Sequence, residues 1–298
     1  MRSRAQLGII AAATLVVMGL LAPAAIAKPT VRYPVELTAS NLAPIEGSFY
    51  ELWIVKGDDK HSGGSFNVAG DGSLVDGVGH PASFSSPIKP KHADLIVVTI
   101  EPLPDPDLGP SGIAILAGSP TKRGADLSFP IDLAGTAGSF ILATPTDAIT
   151  TNETAGVWFL DPSAGPGASL TLPTLPDGWV FEGWGVTQGL PLTTGRFTSA
   201  SGADLSSPFS GPNPGPPFPG EDFLTNLPGG ITPPVDLADG GSMIVITLEP
   251  DLGGVDPTGP GPFSIKPLVA PVAAGAAPHE SISLALDLST VPSGRASF

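Results

Sequence analysis

Residues 94–102 read Asp-Leu-Ile-Val-Val-Thr-Ile-Glu-Pro, and residues 242–250 read Ser-Met-Ile-Val-Ile-Thr-Leu-Glu-Pro. Val, Ile and Thr dominate both stretches, as they do in buried β-strands, and the same Glu-Pro pair ends each one. A segment that occurs twice in one chain with the same apolar centre and the same ending indicates an internal repeat. The chain is therefore predicted to hold two related β modules.

A second pair of matching segments lies upstream at a constant offset. Residues 50–66 begin Tyr-Glu-Leu-Trp-Ile-Val-Lys-Gly and end Gly-Ser-Phe, whereas residues 181–197 begin Phe-Glu-Gly-Trp-Gly-Val-Thr-Gln and end Gly-Arg-Phe. Glycine and aspartate follow the first strand of residues 50–66, which is a turn signal for a hairpin. The order of strands and turns is thus the same in both copies.

These patterns predict an all-β fold of two tandem β-sandwich, immunoglobulin-like modules. Each strand segment is short, and turn signals separate the segments. The predicted boundaries are 1–27 for a signal peptide, 28–118 for the first module, 124–270 for the second module with a Gly/Pro-rich insertion at 206–223, and 271–298 for a linker and a final strand. Within the last range, residues 271–278 are interpreted as flexible linker and residues 281–288 as the last strand.

Composition supports the same fold class. The 298 residues include 38 Gly and 36 Pro, which interrupt helices, while 41% of the residues are hydrophobic and can form a core. The net charge of −15 disfavours nucleic acid as a partner. Cysteine is absent, which excludes disulfides and thiolate chemistry.

The N-terminus has the parts of a secretory signal peptide. Arg2 and Arg4 precede an uncharged run that begins at Leu7, and Ala25-Ile-Ala precedes Lys28. We expect cleavage after Ala27 and an exported protein, periplasmic or extracellular. The alternative is an uncleaved single-span anchor over residues 7–27 with the bulk of the chain outside, and only in that case would the protein be bound to a membrane.

The ordered set of motifs resembles the extracytoplasmic C-terminal domain of anti-sigma-K-type regulators. That family shows a Tyr-x-x-Trp strand, a Gly-x-Phe strand, an Asp-Gly-Ser turn and a Val-Thr-x-Glu-Pro strand followed by a Gly-rich loop. The carriers are Tyr50, Trp53, Gly64, Phe66, 71–73, 98–102 and Pro110 in the first copy, and Phe181, Trp184, Gly195, Phe197, 246–250 and 257–260 in the second. The resemblance implies small β-sandwich domains in which these motif residues are structural; the predicted set is Trp53, Phe66, Glu101, Pro102, Trp184, Phe197, Glu249 and Pro250.

Regulators of this type also carry a cytoplasmic helical domain that binds the sigma factor. Only six residues precede the apolar run here, so we do not expect this chain to hold a sigma factor in that way. The expected function is that of a non-enzymatic exported binding or structural protein with an unknown protein partner. The alternative is a membrane-anchored envelope-signalling component that regulates a sigma factor through a separate partner.

No catalytic, cofactor-binding or metal-ligating motif is predicted. His61, His80, His92 and His279 lack metal-site spacing, and a Gly-x-Ser-x-Gly elbow is absent. The acidic loops after Pro102 and Pro250 are interpreted as solvated turns in preference to calcium sites. Glu101 and Glu249 are predicted to accept hydrogen bonds from a neighbouring turn, and Trp53 and Trp184 to be buried. A hydrolase whose groups converge only in the folded chain is the third hypothesis.

Overall fold

A computed structural model describes residues 31–163 and 165–298, and the predicted signal peptide lies outside them. The all-β prediction is confirmed, because 40% of the structure is strand and 3% is helical, in large curled antiparallel sheets of β-sandwich-like architecture. Residues Arg32–Phe298 form one compact unit. In the described part of the chain, no helix has the length and apolar character needed to cross a membrane.

The described residues form strands joined by connections that range from tight turns to loops of about twenty residues. In chain order they are β1 Tyr33–Ser40, β2 Ser48–Lys56, β3 Asp59–Val68, β4 Leu74–Val75, β5 Phe84–Ser86, β6 Leu95–Pro102, β7 Ala114–Gly118, β8 Gly124–Ser128, β9 Gly138–Leu142, β10 Gly156–Trp158, β11 Leu160–Asp161, β12 Gly167–Ala168, β13 Trp179–Thr187, β14 Leu190–Phe197, β15 Gly220–Asp222, β16 Met243–Pro250, β17 Leu268–Pro271, β18 Ile282–Leu286 and β19 Ser293–Ser297. Short 3₁₀ turns occur at Pro90–His92, Glu153–Ala155 and Leu237–Asp239.

The two large sheets have the same strand order. The first runs β4-β3-β2-β6-β7-β8-β19-β1-β5, and the second runs β14-β13-β16-β17-β18-β9-β10-β15. With β4 set aside, the orders match strand for strand, and the repeated segments β2, β3 and β6 correspond to β13, β14 and β16. The position of β9 in the second sheet is taken in the first sheet by β19, which pairs antiparallel with β8 and β1. The C-terminal strand therefore completes the sheet formed by the N-terminal half.

The prediction that residues 281–288 form the last strand is wrong. The strand there is β18, which pairs with β17 and β9 inside the second sheet, and β19 follows it. Leu284 is buried, whereas Leu286 and Leu288 are each 42% exposed, so the alternating leucines of this segment do not form a continuous buried face. The strand β19 reads Ser-Gly-Arg-Ala-Ser, which contains none of the β-branched or aromatic residues that indicate a strand.

The predicted linker 271–278 and the predicted Gly/Pro-rich insertion are both part of the fold. Residues 271–278 connect two neighbouring strands of one sheet, and Val272 within them is 1% exposed and donates its NH to the Ser242 carbonyl at 2.9 Å. The insertion 206–223 contains β15, whose Glu221 and Asp222 are fully buried. The linker interpretation fails because Gly and Pro content alone does not report the backbone hydrogen bonds that fix a loop.

Each sheet curls until its first and last strands approach one another. In the first sheet, Phe66 of β3 stacks on Tyr50 at 5.3 Å between ring centroids and meets Phe84 of β5 edge-on at 5.4 Å. In the second sheet, Phe197 of β14 stacks on Phe181 of the neighbouring β13 at 5.8 Å, and β14 also contacts β15, the strand at the other end of the order. These aromatic contacts close the core on the concave side, so the repeated Phe positions are core positions.

The two cores fill the same space with different residues. Leu52 and Ile54 of the first sheet are fully buried, whereas the matching Gly183 and Gly185 of the second sheet have no side chain to fill that space. A Cβ on Gly183 would lie 2.7 Å from the Phe159 ring, and one on Gly185 would lie 2.7 Å from the Phe223 ring. Rings brought in from elsewhere in the chain therefore replace the aliphatic side chains of the first copy.

Candidate functional site

A buried polar chain lies on the face of the first sheet opposite the aromatic core. Trp53 is 2% exposed, and its indole Nε1 donates to Thr99 Oγ1 at 2.9 Å. The Thr99 hydroxyl donates to the carboxylate of Glu101, which is fully buried and accepts the backbone NH of Ser111 at 2.9 Å. Glu101 thus closes the loop that follows Pro102, which is the role predicted for it.

The second sheet repeats this chain of hydrogen bonds. Trp184 Nε1 donates to Thr247 Oγ1 at 2.9 Å, and the Thr247 hydroxyl donates to Glu249. Glu249 Oε1 accepts the NH of Phe263 at 2.9 Å, whereas Oε2 is buried without a hydrogen-bond partner. Burial raises the pKa of Glu249 to about 8, against the lowering effect of the Thr247 and Phe263 donors. Trp53 and Trp184 are therefore buried structural donors and not exposed platforms for a ligand.

Thr99→Val should destabilise the protein by about 2–3 kcal/mol. Valine keeps the shape but leaves the buried Trp53 NH without an acceptor and removes a donor from Glu101, and each unmet buried group costs about 1–3 kcal/mol. Thr38→Val, on an exposed position of β1, is the control and should stay within about 0.5 kcal/mol. Chemical denaturation measures both, and equal unfolding free energies would contradict the buried chain.

The glycine of each Gly-x-Phe motif sits at a β-bulge. The register shifts between Leu52 and Trp53 in one sheet and between Gly183 and Trp184 in the other. Gly64 and Gly195, opposite these shifts, have φ of +129° and +103°, a region that other residues rarely adopt. The bulge re-aims the strand at the same point in both copies, and it explains why the motif requires glycine.

A second carboxylate lies beside each polar chain, and only the second sheet gives it a counter-ion. Glu182 of β13 accepts the Thr193 hydroxyl at 2.5 Å and Arg196 Nε at 3.0 Å. Arg196 Nη2 also donates to Asp256 Oδ2 at 2.6 Å, and Nη1 lies 3.9 Å from Asp251 Oδ1. The guanidinium therefore ties a strand carboxylate to the loop that follows Glu249.

The first sheet has the carboxylates without the arginine. Glu51 stands where Glu182 stands, and the residue opposite it in the register is Ser65 instead of Arg196. Burial raises the pKa of Glu51 above its usual value against the Ser62 hydroxyl donor, and the negative charge of Asp105 raises it further. Burial likewise raises the pKa of Glu101, with Asp105 and Glu51 adding to the effect.

The two acidic loops meet in a groove of about 510 Å³. Residues 102–104 and Pro106 line it from the first loop, Leu252, residues 255–257 and Gly259 line it from the second loop, and Glu46 and Gly47 also contribute. Leu103 and Val255 are 66% and 65% exposed, unusual for large apolar side chains. Asp256 lines the groove, and Asp105 lies between the lining residues Pro104 and Pro106, so acidic residues accompany the exposed apolar side chains.

A third acidic cluster was not predicted from the sequence. Asp222 Oδ1 accepts Trp158 Nε1 at 2.6 Å, and Oδ2 accepts the Thr146 NH at 2.7 Å. Glu221 accepts the Ser210 hydroxyl, and burial raises its pKa to about 7 against that donor. Because protein donors occupy these carboxylates, the cluster fastens the insertion to the second sheet.

His80 and His279 each lie beside one carboxylate. His279 Nε2 is 3.2 Å from Glu153 Oε2, and His80 Nδ1 is 3.6 Å from Asp76 Oδ2. Across residues 31–163 and 165–298, no group of three or more His, Cys, Asp or Glu side chains is arranged to hold a metal ion. The acidic loops instead cap their own turns, as when Asp107 Oδ1 accepts the Gly109 NH at 2.7 Å.

Comparison of the chain with protein-family models, with curated proteins and with solved structures gives no match. The resemblance to the anti-sigma-K-type outer domain therefore stays a prediction from the motifs. The comparison that bears on the site is the one between the two copies within this chain, because they hold equivalent residues in the same register.

Proposed function

We propose that this chain is an exported, non-enzymatic binding protein whose protein partner docks in the groove between the two acidic loops. The observation that carries the proposal is the convergence of the two equivalent loops, one from each copy, on a single surface with exposed Leu103 and Val255. Exposed apolar side chains rimmed by charge are typical of protein interaction sites.

The state of the buried acids supports binding over catalysis. Glu101 and Glu249 are fully buried and accept hydrogen bonds from threonine hydroxyls and loop NH groups. A general acid or base has to reach the proton that it transfers, within hydrogen-bond distance of the substrate. Carboxyl groups that accept hydrogen bonds from a loop have a structural role, which is to fix the conformation of that loop. The loops fixed in this way are the ones that line the groove.

The resemblance to the outer domain of anti-sigma-K-type regulators supports a role outside the cytoplasm. As a chain similar to the outer part of such a regulator, this protein would bind its partner outside the cytoplasm. The alternative, a membrane-anchored signalling component, uses the same groove and differs in whether residues 7–27 are retained. The net charge of −15 favours a partner surface that carries positive charge.

A displayed library of random peptides tests the groove. Peptides selected on the wild-type chain should bind the Leu103→Glu, Val255→Glu double variant at least about tenfold more weakly, because the added charges oppose burial of apolar side chains. Val78→Glu is the matched control, since Val78 is 78% exposed in a loop that does not line the groove. Selection of no peptide, or of peptides that bind all three proteins equally, would contradict the proposal.

A further inference from the structure

We propose that the first module binds an arginine side chain of the partner between the carboxylates of Glu51 and Asp105. The inference rests on the proposed function, since the arginine would belong to the segment docked in the adjoining groove. The second module provides the precedent, because there the chain's own arginine occupies the equivalent place.

The geometry of that precedent is specific. Arg196 lies opposite Glu182 in the β13–β14 register and bridges it to Asp256, with N···O distances of 3.0 and 2.6 Å. Its side chain is 20% exposed, so the guanidinium is held mostly within the protein. A planar guanidinium presents several donors in a fixed fork, which suits two carboxylates that come from different segments.

The first module has the matching strand glutamate and an aspartate elsewhere in the matching loop, but no arginine opposite the glutamate. Ser65 lies opposite Glu51, and Asp105 follows Glu101 in the loop that corresponds to the one holding Asp256. Ser65 is exposed, whereas Glu51 and Asp105 are half-buried. None of the ion pairs formed by the described residues involves Glu51, Glu101 or Asp105.

The negative charges of Glu51, Glu101 and Asp105 favour a bound cation among them. Burial and the mutual repulsion of three carboxylates raise the pKa of Glu51 and of Glu101, and a positive group placed among them would relieve both effects. In the second module the Arg196 charge and hydrogen bond act in that direction on Glu182. Among the described residues, the side chains around Glu51 and Asp105 are not arranged to hold a metal ion. The cation that we infer is therefore an organic one.

The surroundings indicate how the arginine would arrive. Asp105 lies between Pro104 and Pro106, which both line the groove. A partner segment that lays apolar side chains along Leu103 and Val255 would thus bring a neighbouring residue to the carboxylates. The occupant is a peptide segment with an arginine flanked by apolar residues.

Peptide and protein changes made together test this pairing. A groove-dependent peptide from the selection above should contain arginine, and replacing that residue by Gln should weaken binding about tenfold or more, with Lys intermediate. On the Glu51→Gln, Asp105→Asn protein the three peptides should bind within about twofold of one another. Asp107→Asn, an exposed change in the same loop, should keep the full discrimination. Groove-dependent peptides that bind equally well without a basic residue would overturn the arginine site and leave the proposed function standing.

A second variant tests the site without a partner. Ser65→Arg places a guanidinium where Arg196 lies in the other module, so it should raise the melting temperature above that of Ser65→Gln and block the arginine peptide. Ser65→Gln has a long side chain without charge and should block binding much less. If Ser65→Arg melts no higher than Ser65→Gln, the position is not built for a guanidinium and the inference is wrong.

Discussion

Ala296→Asp is expected to destabilise the first sheet by about 3–5 kcal/mol, the scale of leaving an uncompensated charge in the interior. Ala296 is the one fully buried residue of β19 and lies between Leu37 of β1 and Ala125 of β8. The carboxylate would enter the apolar core without a partner. Because domains are stable by only about 5–15 kcal/mol, the melting temperature should fall by roughly 10 °C.

Hydrogen exchange would locate the effect. Strand β19 supplies hydrogen bonds to β8 on one side and to β1 on the other, so loosening it leaves both neighbours with an unpaired edge. Amides of β1 and β8 should therefore lose protection in Ala296→Asp, although they are more than 160 residues away in the chain. Those of β9 and β10 in the second sheet should change less.

Two further substitutions in β19 serve as comparisons for Ala296→Asp. A Cβ on Gly294 would lie 2.6 Å from the Thr38 carbonyl oxygen, so Gly294→Ala should also destabilise the protein. Arg295→Ala removes only an exposed pair with Asp126 and should cost less than about 1 kcal/mol. A chain in which Ala296→Asp and Arg295→Ala melt alike would not hold β19 between β8 and β1.

The strands that the sequence predicts correctly are those with their own local signal. Residues 95–100 and 244–248 are dense in Val, Ile and Thr, and the structure places them in β6 and β16. The turn at Gly57-Asp58 connects β2 and β3 as its residues indicate. The repeated motifs predict the overall fold correctly, because each copy of the motifs lies in one of two sheets that have the same strand order.

The features that the sequence does not reveal depend on distant partners. Strand β19 is defined by its neighbours, since it contains no β-branched or aromatic residue. Asp222 is fixed by Trp158 and Thr146, which lie 64 and 76 residues away. The aligned motifs show that Ser65 in the first copy corresponds to Arg196 in the second. That this difference removes the counter-ion of a glutamate follows only from the strand register, which places Ser65 opposite Glu51 and Arg196 opposite Glu182.

Stability is expected to decrease as the pH rises from about 4.5 to 8. Burial raises the pKa of Glu249 to about 8, and it raises those of Asp204 and Glu221 to about 7. A group with a raised pKa binds its proton more tightly in the folded state, so its contribution is complete below the unfolded pKa and is lost as the pH passes the folded pKa. The exposed Asp71, Asp76 and Asp94 have lowered pKa values, so their opposite contribution is lost only at pH values below about 4.

Glu249 should account for the largest part of this pH dependence, on the order of 3–5 kcal/mol between pH 4.5 and 8. Its Oε2 is buried without a donor, so ionisation would leave a negative charge that only the Thr247 hydroxyl and the Phe263 NH stabilise, both at Oε1. Glu249→Gln keeps the shape and these hydrogen bonds and resembles the protonated acid. It should unfold like the wild type at pH 5 and be more stable than the wild type at pH 8.5.

Denaturant titrations at several pH values separate Glu249 from the overall charge of the chain. Glu280→Gln removes one charge from an exposed position and should leave the slope of stability against pH unchanged, whereas Glu249→Gln should flatten it. General repulsion among the surplus acids would be relieved to a similar small extent by either change, since each removes one negative charge. Equal slopes for the two variants would therefore mean that Glu249 is ionised in the folded protein at neutral pH. A flatter slope for Glu249→Gln alone would mean that the loop after Pro250, and with it one wall of the groove, is fastened by a neutral carboxylic acid.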